Sequence, residues 1–125
     1  VEPASFYEEK NFALMPMGFC FPGTGTSGDL PPRAECALHW HGPILRKLKN
    51  VKLTVLIGAY SHRYYLGDGN AKTVTETVRR FRNFLPKYLP LVHPSPRNKI
   101  WHKKNPRFER EVVPELRRIV AEALE

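Results

Sequence analysis

KLTVLIGAYSHRYYLG, residues Lys52 to Gly67, changes character at a single glycine. KLTVLIG is β-branched and apolar, the pattern of a strand buried on both faces of a sheet. AYSHRYYLG reads as a short helix that ends at Gly67. A buried strand that passes through one glycine into a helix is the repeating unit of an α/β fold with a mainly parallel sheet.

The flanking sequence continues the alternation. GDGN (Gly67–Asn70) is a turn, and Thr73 or Thr75 can cap the helix TETVRRFRNFL, which stops at Pro86. YLPLV (Tyr88–Val92) is a further short strand. It runs into HPSPRNKIWHKKNPRF, read as a stiff, cationic loop. Asn105 and Pro106 then open a last amphipathic helix reaching about Leu124, with Phe108, Val112, Val113, Leu116, Ile119, Val120 and Leu124 on one face.

Upstream, FALMPM (Phe12–Met17) reads as a short buried strand limited by Pro16. Cys20 to Arg33 is a long Gly- and Pro-rich loop. RAECALHWHGPILRKLK has helical spacing, with Gly42–Pro43 as a point where it can break and an end at Asn50. Ligands of such sheets sit beyond the carboxyl ends of the strands. The glycine-rich loop, GAYSH and HPSPRN each come after a strand in this reading and are expected at one edge. No internal repeat or linker interrupts residues 1–125, which read as one domain.

Composition narrows the partners. The 125 residues are 42% hydrophobic, enough for a core, and carry a net charge of +8. Between Lys72 and Arg110 there are 11 Lys or Arg and only Glu76 and Glu109 as acids. A one-signed block on an aromatic-rich, folded segment points to an anionic ligand; the ordinary alternative is a solvated face. The longest apolar run, Leu53 to Ala59, is too short to span a bilayer, and no signal peptide opens the chain. The expected compartment is the cytoplasm. The chain opens without Met and soon enters an apolar segment, so it is expected to begin inside a larger domain.

Three motifs bear on chemistry. PGTGTSGD lacks the lysine of a P-loop and the spacing of a dinucleotide site, which leaves a surface loop with an optional phosphate contact. Cys20 and Cys36 are too few for a disulfide framework. They read as small buried hydrophobes or as half of a four-cysteine metal site. His39 and His41 are nearby nitrogen donors, but H-x-H on a helix turns the two rings to different faces. HPSPRN is the strongest signal. Its prolines restrict the backbone and hold His93 at a strand end, Ser95 and backbone amides can grip phosphate, and Arg97 is a long cation at the tip. The ordinary alternative is a rigid turn with a solvated arginine.

HPSPRN after a short apolar strand resembles the DNA-intercalation motif of the uracil-DNA glycosylase superfamily. LTVLIGAYSHRYYLG resembles that family's central strand, glycine turn and short helix. MPMGFCFPGTGTSGDLPPRAEC resembles the segment after its base-recognition strand, where the iron–sulfur branch carries two cluster cysteines at about the spacing of Cys20 and Cys36. The likeness covers nearly the whole chain in the right order and is nearest to a bacterial group of uracil-DNA glycosylase-like proteins.

The resemblance implies a three-layer αβα domain with a mainly parallel central sheet, equivalent to the C-terminal two-thirds of the family's domain. The family's first strand and water-activating loop would lie upstream of Val1, as would two more cluster cysteines. Met15 and Pro16 stand where the family often carries a uracil-reading asparagine, and become the base-pocket residues. The implied function is a DNA repair hydrolase that flips uracil or a similar damaged base from DNA and cleaves its N-glycosidic bond. His93 would be the catalytic donor to the departing base. Ser95 and Pro96 would grip the backbone, Arg97 would be the wedge, and Asn98 and Lys99 would complete the DNA contact. Asn98 and Trp101 could also steady the loop, and Arg79, Arg80, Arg82, Lys103 and Lys104 are further phosphate candidates. A 4Fe-4S cluster is implied for a longer protein and none for residues 1–125 alone, because two thiolates cannot hold a cubane. An exposed sheet edge implies self-association. Two rival readings are a non-catalytic DNA-binding or damage-sensing relative on the same fold, and an unrelated α/β enzyme acting on a phosphorylated small molecule.

Overall fold

The computed structural model describes residues 1–125, which divide into two compact units: residues 12–51 form one, and residues 1–11 with 52–125 form the other. The chain enters the larger unit through α1 (Pro3–Phe6), one turn started by a proline. Asn11 Nδ2 closes back on the Ser5 carbonyl at 3.0 Å.

The smaller unit departs most from expectation. FALMPM forms no strand. No neighbouring strand offers it a ladder, and the Pro16 carbonyl instead accepts a hydrogen bond from His41 Nε2 at 2.8 Å. The glycine-rich loop contains a small antiparallel hairpin, β1 (Thr24–Gly25) with β2 (Gly28–Asp29). The helix after it does not break at Gly42–Pro43. It runs as α2 (Ala34–Cys36), a π-helical stretch Ala37–His41, and α3 (Gly42–Lys47). Proline cannot donate to the preceding turn, and widening that turn is the usual way a helix absorbs the loss. Ala37 and His41 are the buried residues of this helix.

In the larger unit, β3 (Thr54–Ile57) pairs in parallel with β4 (Tyr88–Leu91), in the register Leu56 to Pro90 and Ile57 to Leu91. These two strands form the whole parallel sheet. The architecture is mixed helix and strand around a small parallel sheet, as an α/β class requires. The expectation that KLTVLIG is covered on both faces is corrected: Leu56 is buried, but Ile57 is 46% exposed. Between the strands run α4 (Ala59–Leu66), a 3₁₀ turn Gly67–Gly69, and α5 (Val74–Arg79). Gly58 sits at φ +90°, and no side chain lies near enough for a Cβ to clash. It is required for its backbone conformation, which turns β3 into α4. Thr73 caps α5 by accepting from Glu76 N at 3.2 Å. That helix is shorter than the sequence suggests: it ends at Arg79, and Phe81–Asn83 is a 3₁₀ turn.

The core of this unit is Val78, Phe81, Leu89 and Val112, with Leu53, Val74, Phe108 and Leu116 packed around it. Each such side chain contributes roughly 1.5–3 kcal/mol by leaving water. The last helix meets this core as the 3.6-residue pattern requires, through a π-helical stretch Phe108–Val112 and then the regular helix Val113–Ala123. No helix is long and apolar enough to cross a membrane.

Candidate DNA-contacting loop

Two parallel strands that end in register must deliver their loops to the same edge. Gly58 N donates to the Leu91 carbonyl at 3.0 Å, so the β3–α4 turn and the HPSPRN loop start side by side. This much of the expected common edge is observed. The glycine-rich loop comes after no strand, so the reason for expecting it at that edge falls away.

The HPSPRN loop is held by its own polar groups. Ser95 Oγ accepts from Arg97 N at 3.2 Å, and Asn98 N donates to the Ser95 carbonyl at 2.9 Å. Asn98 Nδ2 reaches back to the His93 carbonyl across the loop mouth. Pro96–Asn98 is thereby a 3₁₀ turn with Ser95 as its cap. The stretch then becomes a helix, α6 (Lys99–Lys104), where the sequence pattern suggests loop up to the helix opened by Asn105 and Pro106. The terminal helix Val113–Ala123 is then α7. Trp101 Nε1 donates to Thr75 Oγ1 at 2.8 Å, and its ring packs edge-on against Phe108. Asn105 Nδ2 donates to the Trp101 carbonyl at 2.8 Å. Trp101 therefore anchors α6 to α5, a structural role.

On this braced frame His93 is exposed, and its imidazole makes no hydrogen bond within the protein. Pro96, Arg97 and Lys99 are also exposed, and Arg97 makes no salt bridge. Ser95 and Asn98 are half-buried, as bracing residues should be. The loop thus presents one imidazole and one guanidinium to solvent from a backbone fixed at both ends.

A second histidine lies behind this edge, and the sequence motifs do not single it out. His62, on α4, is 1% exposed. Its Nε2 bonds the Leu56 carbonyl at 3.0 Å, and its Nδ1 is buried without a hydrogen bond. Burial holds its pKa below the usual histidine value, against the opposing pull of the Leu56 and Leu91 carbonyls. Its position in a buried strand–glycine–helix turn is the available signal, since a histidine one helical turn past such a glycine faces the strand ends.

The remaining expected site residues belong to both units. Met15 is half-buried and Pro16 exposed, both in the smaller unit and on no strand. Cys20 is an exposed free thiol and Cys36 a half-buried one. Three or more metal-ligating side chains come together nowhere in the chain. His39 is exposed while His41 is buried, so the two rings do diverge. Arg79, Arg80, Lys103 and Lys104 are exposed, whereas Arg82 lies over the Phe81 ring at 4.4 Å. The expectation that Arg79 and Arg82 share a helical face is corrected, because the α-helix ends between them.

Fold and loop together define an α/β protein that presents a proline-stiffened, cationic loop from the carboxyl end of a parallel strand. The sequence matches the uracil DNA glycosylase superfamily over residues 3–117 of its 125 residues. The chain belongs to that superfamily.

Proposed function

We propose that this protein is a DNA repair hydrolase of glycosylase type, which extrudes a damaged base such as uracil and cleaves its N-glycosidic bond. The observation that carries it is the HPSPRN loop: a backbone braced at Ser95 and Asn98 that leaves His93 and Arg97 unpaired in solvent. Superfamily membership supports DNA as the substrate class.

The chemistry is set by the groups on the loop. Base extrusion costs a few kcal/mol of unstacking. Rigid Pro94 and Pro96 pressing on the backbone, with Arg97 entering the vacated stack, offset that cost. Ser95 and Lys99 hold phosphate, and Asn98 keeps the loop closed. As the glycosidic bond breaks, negative charge develops on the base. An imidazole N–H of His93 aimed at a base oxygen stabilises that charge where it forms. Met15 and Pro16 stand as the base-pocket residues only by the family resemblance. Water activation and support of the sugar cation fall to groups upstream of Val1 in a longer protein, which would also complete the three-layer sheet.

Cys20 and Cys36 are two thiols, half of the four thiolates that a cubane needs. In a longer protein they would be two of the four. The sheet edge along β3 is open: Thr54 N and Gly58 N face β4, so by strand alternation the backbone groups of Val55 and Ile57 face away. A second copy of the chain pairing along that edge is the self-association we propose, and a concentration-independent monomer in sedimentation would remove it.

The decisive experiment is single-turnover excision from a uracil-containing duplex, with the 125-residue chain beside one extended upstream by about 30 residues or more. Excision by the longer chain alone is the expected result. Tight, loop-dependent binding without excision by either would favour a damage-sensing relative, for which Met15 and Pro16 in place of an asparagine speak. Equal excision by both would move the water-activating group into Val1–Glu125.

A further inference from the structure

The larger unit contains a cleft of about 300 Å³ between α5 and the residues just after α6. Its floor is apolar and aromatic, with Val78 and Phe81 buried beneath it and Trp101 and Phe108 at its sides. Its rim is cationic. Arg79, Lys104 and Arg110 line it and make no salt bridge. The one acid on the rim, Glu111, is tied to Arg107 at 3.1 Å, which holds its carboxyl below the usual range. Three unpaired cations over an aromatic floor suit a phosphate with a flat, apolar group attached.

The cleft is also close to the loop in space. Only α6 separates them, and six helical residues rise about 9 Å. Along one DNA strand, phosphates advance about 3.4 Å each. A strand gripped by the loop therefore reaches the cleft within about three nucleotides. The Trp101–Thr75 bond keeps α6, and with it this spacing, fixed against α5.

We propose that this cleft is a second DNA subsite, which binds a nucleotide of the strand flanking the base held at the loop, with its phosphate against Arg79, Lys104 and Arg110. The proposal rests on the glycosylase function above, and extends it by assigning the direction in which the DNA leaves the loop. Arg80 and Arg82 take no part: neither lines the cleft, and Arg82 is occupied by the Phe81 ring.

The test is the salt dependence of binding to a fluorescein-labelled, uracil-containing 24-base-pair duplex. Each phosphate contact contributes about 0.9 to the slope of log K against log salt. Arg79→Ala, Lys104→Ala and Arg110→Ala combined should lower the slope by about one unit, the share of the single phosphate they hold. Arg79→Lys with Arg110→Lys, which keeps the charge, should leave it near the wild-type value and so guards against a folding defect. Duplexes trimmed from each end in turn should show the same loss for the wild-type chain when one particular flank is shorter than about three base pairs, with no further loss in the triple variant. An unchanged slope in the triple variant overturns the subsite. So does thymidine monophosphate binding that the triple variant abolishes while the duplex slope stays, because the cleft would then hold a free nucleotide. In both cases a duplex affinity that still depends on Arg97 leaves the glycosylase function standing. A wild-type chain with no salt-dependent DNA binding overturns both.

Discussion

Two histidines stand at the same edge of one small sheet and do opposite things. His62 comes after β3, is buried, and spends its Nε2 on the Leu56 carbonyl. His93 comes after β4 and is exposed, and its imidazole spends nothing on the protein. The strands end in register, so the difference does not come from the sheet. It comes from the residues at the carboxyl end of each strand. Gly58 turns the chain into a helix that carries His62 back over the strand ends. Pro94 disfavours helix at His93 before it, and the imidazole of His93 is left exposed. A buried polar group is retained for the bond it satisfies; an exposed one on a braced loop is free to bond something else.

The contrast can be broken by exchanging what each histidine does. His93→Ala in a chain that excises uracil should slow single-turnover excision by about 10²–10³-fold, the cost of one well-aimed donor to a developing anion, with melting temperature unchanged. Survival of the rate within a few-fold would remove His93 from the chemistry. His62→Ala should do the reverse in kind. It leaves a cavity and an unpaired carbonyl, so chemical denaturation should show a loss of about 2–3 kcal/mol, with folding rather than loop chemistry affected.

Arg97→Ala should weaken binding to a base-paired duplex about tenfold more than to single-stranded DNA, since only the duplex needs a wedge. Equal losses on both would make Arg97 an ordinary phosphate contact. The smallest effect sharpens the comparison through pH. The folded-state pKa of His62 is depressed, so the unfolded chain binds its proton first as pH falls. The stability it contributes is present above about pH 6.5 and is lost as the pH falls from there toward the lowered folded value. His62→Gln should flatten the fall in melting temperature between pH 7.5 and 5.5 by a few degrees relative to wild type. Parallel profiles for His62→Gln and wild type would show that its burial does not govern protonation.

Much of the larger unit is legible in the order of its residues. The helix up to Gly67, the Thr73 cap and the amphipathic tail rest on interactions within a few residues, the strands before Gly58 and at Tyr88 show as short apolar runs that find each other as partners, and all five are present. The smaller unit is less legible. FALMPM has the composition of a strand, yet a strand exists only where a second backbone pairs with it, and none does here. The α6 helix escapes sequence reading because its surrounding prolines, lysines and asparagines look like loop; the Trp101–Thr75 bond, 26 positions apart in the chain, is what no local pattern shows.

The sequence by itself determined where strands give way to helices in the larger unit, the cationic surplus, and the proline-stiffened loop with His93 and Arg97, because backbone restriction and charge are properties of neighbouring residues. Tertiary structure alone decided which histidine is buried, which cations stay unpaired, that FALMPM is not a strand, and that Arg79, Lys104 and Arg110 share one cleft. Burial, pairing and cleft formation depend on segments distant in sequence meeting in space, and that meeting is set by the packing of Val78, Phe81, Leu89 and Val112 rather than by any single stretch of the chain.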